Sequence, residues 1–298
     1  DRGRGDATLE PAKVLIDWAN DEVQTLLERP LFGFATYGRV RFHNRSIIEF
    51  LAAERLQQLM ERGLPIRALM RLLFATTPEG QRIVKPSLQP VSAWLALQVS
   101  IVFSEVLARD PSLPLRYGDP GSLSPAQRTQ ALERYVETYG ADGSRGQRIP
   151  SLQLQRLATT DLDAAVERLW KRGITNPEVC ETLLELMAAG RMVRCSDIAH
   201  GVVTDPVNDV RDRLHGLLVL AELDDPRLPA LLDAVVSPAP EWPEQLARLV
   251  IQYLLPQHLS VPQLVQALAR LTTKSRDIGG VSTMLPLVIA KMDLDPTG

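Results

Sequence analysis

Asp205-Pro206-Val207-Asn208-Asp209-Val210-Arg211 is followed by Leu214, Leu217, Leu218 and Ala221. The first seven residues combine an Asp-Pro turn with two further short polar side chains, a composition that starts helices rather than continuing them. The four apolar residues then recur at helical spacing, so they share one face. Asn176-Pro177-Glu178 and Asp225-Pro226-Arg227 punctuate the chain in the same manner, each ahead of another amphipathic segment. Residues 151–292 therefore read as successive helices of about 10 to 16 residues joined by short turns rich in Pro and Asp. Each apolar stripe is too wide to stay in water, and the nearest cover is the neighbouring helix pair. A continuous stack is the expected result.

The Asp205–Ala221 pattern is similar to a HEAT repeat, an architecture whose helix pairs form an elongated array with an extended concave face; the period is degenerate, and other helical solenoids stay open. The composition agrees. A chain of 298 residues is long enough for two domains or one repeat array. Its apolar fraction of 45% and charged fraction of 23% exclude wholesale disorder. Aromatic residues make up only 5%, which favours packed helices over a large sheet. A net charge of −3 excludes a uniformly basic surface, so general affinity for nucleic acid is not expected. The longest apolar run, residues 91–106, is interrupted by Ser92, Gln98, Ser100, Ser104 and Glu105, and no membrane span is expected. Two cysteines are too few for a disulfide framework, and the chain reads as reduced and cytoplasmic. The start, Asp1-Arg2-Gly3-Arg4-Gly5-Asp6, has neither a methionine nor an apolar segment, which reads as a numbering that begins inside a longer polypeptide.

Towards the N-terminus, residues 9–30 read as two short helices. Asn20 is the expected cap of the second, and Pro30 its stop. Residues 31–35 and 39–43 flank Thr36-Tyr37-Gly38 and predict a hairpin, the one β signal in the chain. Ser46-Ile47-Ile48-Glu49 has the form of a capping box opening a helix that runs to about Arg62 and ends at Gly63. Its Ile47, Phe50 and Leu51 share a face expected to be core, and Ala52, Leu56 and Leu59 form a second stripe. Leu64-Pro65 starts the next helix. Further breaks fall at residues 78–80, 110–111, 118–121 and 140–146, the last read as a flexible joint between domains.

No residue pattern announces catalysis. The phosphate-binding pattern G-x-x-x-x-G-K-[ST] is absent, and Gly140, Gly143 and Gly146 follow a helix rather than a strand. Cys180, Cys195, His200 and His215 are separated by 15, 5 and 15 residues, which matches no compact zinc spacing. Asp161/Asp163 and Asp224/Asp225 stand at expected helix starts, where carboxylates complement the positive end of the dipole. Neither a catalytic residue nor a metal ligand is assigned.

The stretch Phe42-His43-Asn44-Arg45-Ser46-Ile47-Ile48-Glu49-Phe50-Leu51-Ala52-Ala53 carries more information. It resembles the end of the winged-helix domain in NACHT-type STAND NTPases, where the motif reads approximately F-x-H-x-S-x-x-E-[YF]-L-A-A. Phe42, Ser46, Glu49, Phe50, Leu51, Ala52 and Ala53 are in register, whereas Asn44 stands in the histidine's place and His43 one residue early. Trp18, residues 26–32, Trp94-Leu95-Ala96 and residues 110–120 extend the resemblance over roughly residues 12–140. In that family the motif histidine approaches the β-phosphate of bound ADP, so the resemblance implies a phosphate contact from His43 or Asn44 if an upstream NTPase core exists. Read from the residues alone, His43 ends a strand and Asn44 forms a turn.

The resulting expectation is a mainly α protein: a winged-helix-like segment with one β-hairpin over 1–63, a helical connector over 64–146 and a HEAT-like α-solenoid over 147–298. By resemblance it is a non-catalytic sensor region that recognises a protein ligand and controls an ATP/ADP-dependent switch. An upstream NTPase domain and further copies assembled on activation are the other implied partners, and bacterial signalling or antiviral defence the implied setting. Two other function classes stay open: a nucleic-acid-binding winged-helix regulator, and a helical enzyme with an unrecognised site. The three Arg side chains 39, 41 and 45 favour the first of these, but Glu49 and Glu54 dilute that patch.

Overall fold

The computed structural model describes residues 10–35, 39–141, 146, 148–271 and 286. These residues are mainly α, with two small antiparallel hairpins. The chain opens with α1 (Pro11–Val14) and α2 (Asn20–Leu27). Asn20 is the first helical residue and not the cap; Ala19 takes that position, its N–H donating to Glu22 Oε2 at 2.8 Å. The long carboxylate reaches back to a donor that Asn20, inside the helix, is not placed to satisfy. β1 (Phe32–Ala35) and β2 (Arg39–Phe42) then pair with Phe32 opposite Phe42, ring centroids 4.9 Å apart. Residues 36–38 of the expected turn lie outside the described residues.

α3 (Arg45–Glu61) ends as expected, with Gly63 at φ +99°. Its start differs. Asn44 is the N-cap, its Oδ1 accepting from the Ser46 backbone N–H at 3.0 Å and from the Ser46 hydroxyl at 2.9 Å. Glu49, the expected partner of a Ser46 box, accepts instead from Arg45 Nε at 2.9 Å. α4 (Ile66–Leu73), capped by Pro65, leads into β3 (Phe74–Thr76) and β4 (Arg82–Val84), a second hairpin that only the Pro78-Glu79-Gly80 break hinted at. Phe74 lies opposite Val84 with both buried, and Gly80 supplies a positive φ in the turn. The Arg109 guanidinium covers the Phe74 ring at 4.3 Å.

The apolar run 91–106 divides between α5 (Gln89–Ala96) and α6 (Ser100–Arg109). α3 packs on α5, and this contact corrects its expected core face. Ile47 and Phe50 are only half-buried and Leu51 is 41% exposed, whereas Ala53 is the buried residue of the helix. Apolar residues encircle α3, so periodicity alone did not identify the covered side. Phe50 meets the Trp94 ring edge-on at 5.2 Å.

α7 (Leu113–Arg116) and α8 (Pro125–Tyr139) precede the stack. Ser124 and Gln127 close a capping box on α8. Next come α9 (Ser151–Leu157), α10 (Asp163–Lys171), α11 (Pro177–Ala189), α12 (Ser196–Thr204), α13 (Val210–Glu222), α14 (Leu228–Val236), α15 (Glu244–Leu254) and α16 (Val261–Arg270). α9 packs on α11, α11 on α13 and α13 on α15, forming one layer. In the other, α10 contacts α8 and the 193–195 turn that opens α12, while α14 packs on α16. The helices of that second layer begin at residues 163, 196, 228 and 261, intervals of 33, 32 and 33 residues. Leu214, Leu217 and Ala221 are buried and Leu218 half-buried, as the α13 stripe requires.

Polar bonds recur at about the same interval. Arg128 clasps Asp161 at 3.0 and 3.2 Å, the Arg194 N–H donates to Asp163 at 3.3 Å, and Gln263 Nε2 donates to Asp233 at 2.6 Å. Buried Arg213 donates to the Val203 carbonyl at the end of α12 (2.8 Å) and to the Glu241 carbonyl (2.7 Å), and lies over the Trp242 ring at 4.4 Å. A cation there suits the exposed carbonyls of a helix C-terminus.

One buried cluster runs from Ala53 to Ala267, and α7–α9 and α8–α10 contacts cross the 146/147 boundary. The joint expected over 140–146 is pinned at its start, where the Gly140 carbonyl accepts from Thr175 and Asn176 at 2.9 and 3.1 Å. Residues 142–145 lie outside the described residues, as do 272–285 and 287–292 of the repeat region.

Candidate functional site

His43 and Asn44, the two residues singled out in the sequence, lie side by side where β2 gives way to α3. His43 is exposed; its backbone N–H donates to the Leu31 carbonyl at 2.8 Å, and its Nδ1 lies over Gly33. Asn44 is also exposed, with its carbonyl oxygen engaged in capping α3. Both carry local structural bonds.

The cysteines and histidines of the middle region do not converge. Cys180 is half-buried, and burial pushes its thiol up to about 11. Cys195 is buried beside Asp163, and burial first, then that carboxylate, push it up to about 12. Such thiols stay protonated at neutral pH and pack as small apolar groups. His215 alone of the four joins a cluster, and it does so with residues that were not singled out.

That cluster is built by the stack. Glu181 and Glu185 are one helical turn apart on α11 and therefore project from the same face. α13 lies against α11 and brings His215 opposite them, its Nε2 3.8 Å from an oxygen of each carboxylate. Arg148, just ahead of α9, places one guanidinium nitrogen against both: Nη2 is 3.1 Å from Glu181 Oε1 and in direct contact with Glu185 Oε1. Arg211 reaches Glu181 from the outer side at 4.0 Å. Nearby Asp212 has its carboxyl pushed above the usual range, by burial first and then by the charge of Asp209.

Two grooves meet at this cluster. One, about 410 Å³, runs between α9, α11 and α13 past Leu154, Leu184 and Ala188. The other, about 470 Å³, continues to α15, past Arg211, Leu249 and Tyr253. Glu185, His215 and Leu218 line both. The Tyr253 side chain stands 54% exposed at the far end. The result is a surface spread over four helices, with a charged centre and apolar flanks. The Glu-x-x-x-Glu spacing was visible in the sequence, but His215 follows it by about one repeat. Only the repeat register pairs them.

Comparison with protein-family models, with curated proteins and with solved structures finds no match for this chain. Among the described residues, no helix is long and apolar enough to cross a membrane.

Proposed function

We propose that this chain is the non-catalytic sensor and protein-interaction region of a NACHT-type STAND NTPase, acting in the cytoplasm in bacterial signalling or antiviral defence. The observation that carries the sensor reading is the pair of joined grooves across α9, α11, α13 and α15. A surface shared by four helices offers the many dispersed contacts through which a protein ligand binds. The parent assignment rests on the motif from Phe42 to Ala53, with Asn44 and His43 at the exposed entrance to α3, where an upstream nucleotide-binding domain would dock. In this reading ATP or ADP belongs to that domain, and ligand capture by the stack releases it to assemble with further copies.

The coding sequence upstream of Asp1 tests the parent assignment. A glycine-rich loop ending in Lys-Ser or Lys-Thr is expected there. An upstream sequence without one contradicts it, leaving a free-standing helical interaction protein.

A further inference from the structure

We propose that Glu181, Glu185 and His215 form a binding site for a divalent transition-metal ion of the zinc and cobalt class. The proposal is independent of the sensor reading. Their candidate ligand atoms all lie within 4.8 Å of one another. Two carboxylates and one imidazole are a ligand set that such ions take, with solvent completing the shell. Nε2 lies 3.8 Å from an oxygen of each carboxylate, too far from either to hydrogen bond and close enough to share an ion with both. An ion about 2.0–2.2 Å from each ligand would close that gap with side-chain shifts of less than an ångström or so.

The cluster already selects positive charge. The Arg148 nitrogen that touches both carboxylates stands where a cation would sit. Arg148 is the movable part. Its side chain is 44% exposed, whereas the next residue, Ile149, is fully buried and anchors the backbone. The ligands belong to the packed helices α11 and α13 and are only 14–18% exposed, so water competes weakly for them. Replacing the guanidinium with a doubly charged ion balances the two carboxylates. Among the described residues, the buried Nδ1 of His215 has no hydrogen-bond partner to orient the ring from behind. That lack sets the expected affinity in the micromolar range, short of a fully supported site.

Titration of the full chain with Co²⁺, read by visible absorption, and with Zn²⁺, read by calorimetry, tests the site. A single equivalent is expected to bind, without the thiolate-to-cobalt charge-transfer band that Cys180 or Cys195 would give. His215→Ala and Glu185→Gln, each checked for native circular dichroism, should weaken binding about tenfold or more. Arg148→Ala removes the competing cation and should bind at least as tightly as the native chain. Binding that survives His215→Ala, a thiolate band, or no binding by either the native chain or Arg148→Ala overturns the proposal.

Discussion

Asp225, 8% exposed, accepts from the Arg227 backbone N–H, from Arg227 Nε and Nη2, and from the Ser196 hydroxyl. The Arg227 guanidinium, above all, holds its carboxyl well below the usual carboxylate range. A depressed folded-state value means that the stabilisation is complete above the unfolded value, about 3.9, and is lost as pH falls from there towards the folded one. Asp225→Asn should therefore cost about 2 kcal/mol at neutral pH. The gap between native and variant urea melts should narrow as the pH is lowered towards 3; a gap unchanged over that range would remove Asp225 as the cause. The sequence placed this carboxylate at a helix start; it sits in the loop, two residues ahead of Arg227, the cap of α14. Its partner Ser196 is 29 residues away, and nothing local points to it. Phe50 shows the opposite limit: its helical face was legible, but whether anything covered that face was not. Half-buried against Trp94, Phe50→Ala should cost about 1–2 kcal/mol in denaturant melts, below the range for a fully buried ring. A loss above about 3 kcal/mol would mean that α3 is covered on a second side.

Between elements, the tightest constraint is a glycine that sequence pattern passes over. A Cβ on Gly216 of α13 would lie 2.8 Å from Val203 Cγ2 and 2.9 Å from the Ala199 carbonyl oxygen of α12. Alanine is the better helix former by about 1 kcal/mol, yet here α12 must move to admit it. Gly216→Ala should destabilise by about 1–3 kcal/mol, and a higher melting temperature would show that the α12–α13 contact is loose. Element boundaries explain why the period is degenerate in the sequence although the three proline signals look alike. Asn176 is the cap of α11, Asp205 lies in the loop before α13, and Asp225 precedes α14, in the other layer. These three signals mark different points of the repeat. The equivalent caps of α11, α13 and α15 are Asn176, Asp209 and Pro243, 33 and 34 residues apart. Because side chains of different chemistry serve one cap position, the period is preserved in geometry and lost in residue identity.

At the scale of the whole molecule, the described residues form a stack whose helices touch mainly their neighbours, with grooves along one layer and the N-terminal hairpin at one end. The sequence-derived expectation of no phosphate cradle leads to a simple outcome: calorimetry of the chain with Mg-ATP should show no binding, and a micromolar dissociation constant would require a nucleotide site of another design. The stack itself is the central claim. Stability in such an array is approximately a sum over neighbouring contacts, so damage at one end should fade with distance. Hydrogen exchange on a chain ending at Leu259, which lacks α16, measures this directly. Protection should fall most in α14 and α15, which α16 covers, less in α12 and α13, and not at all in α5 and α6. Equal loss from α3 through α15 would show one cooperative globule and contradict the stack.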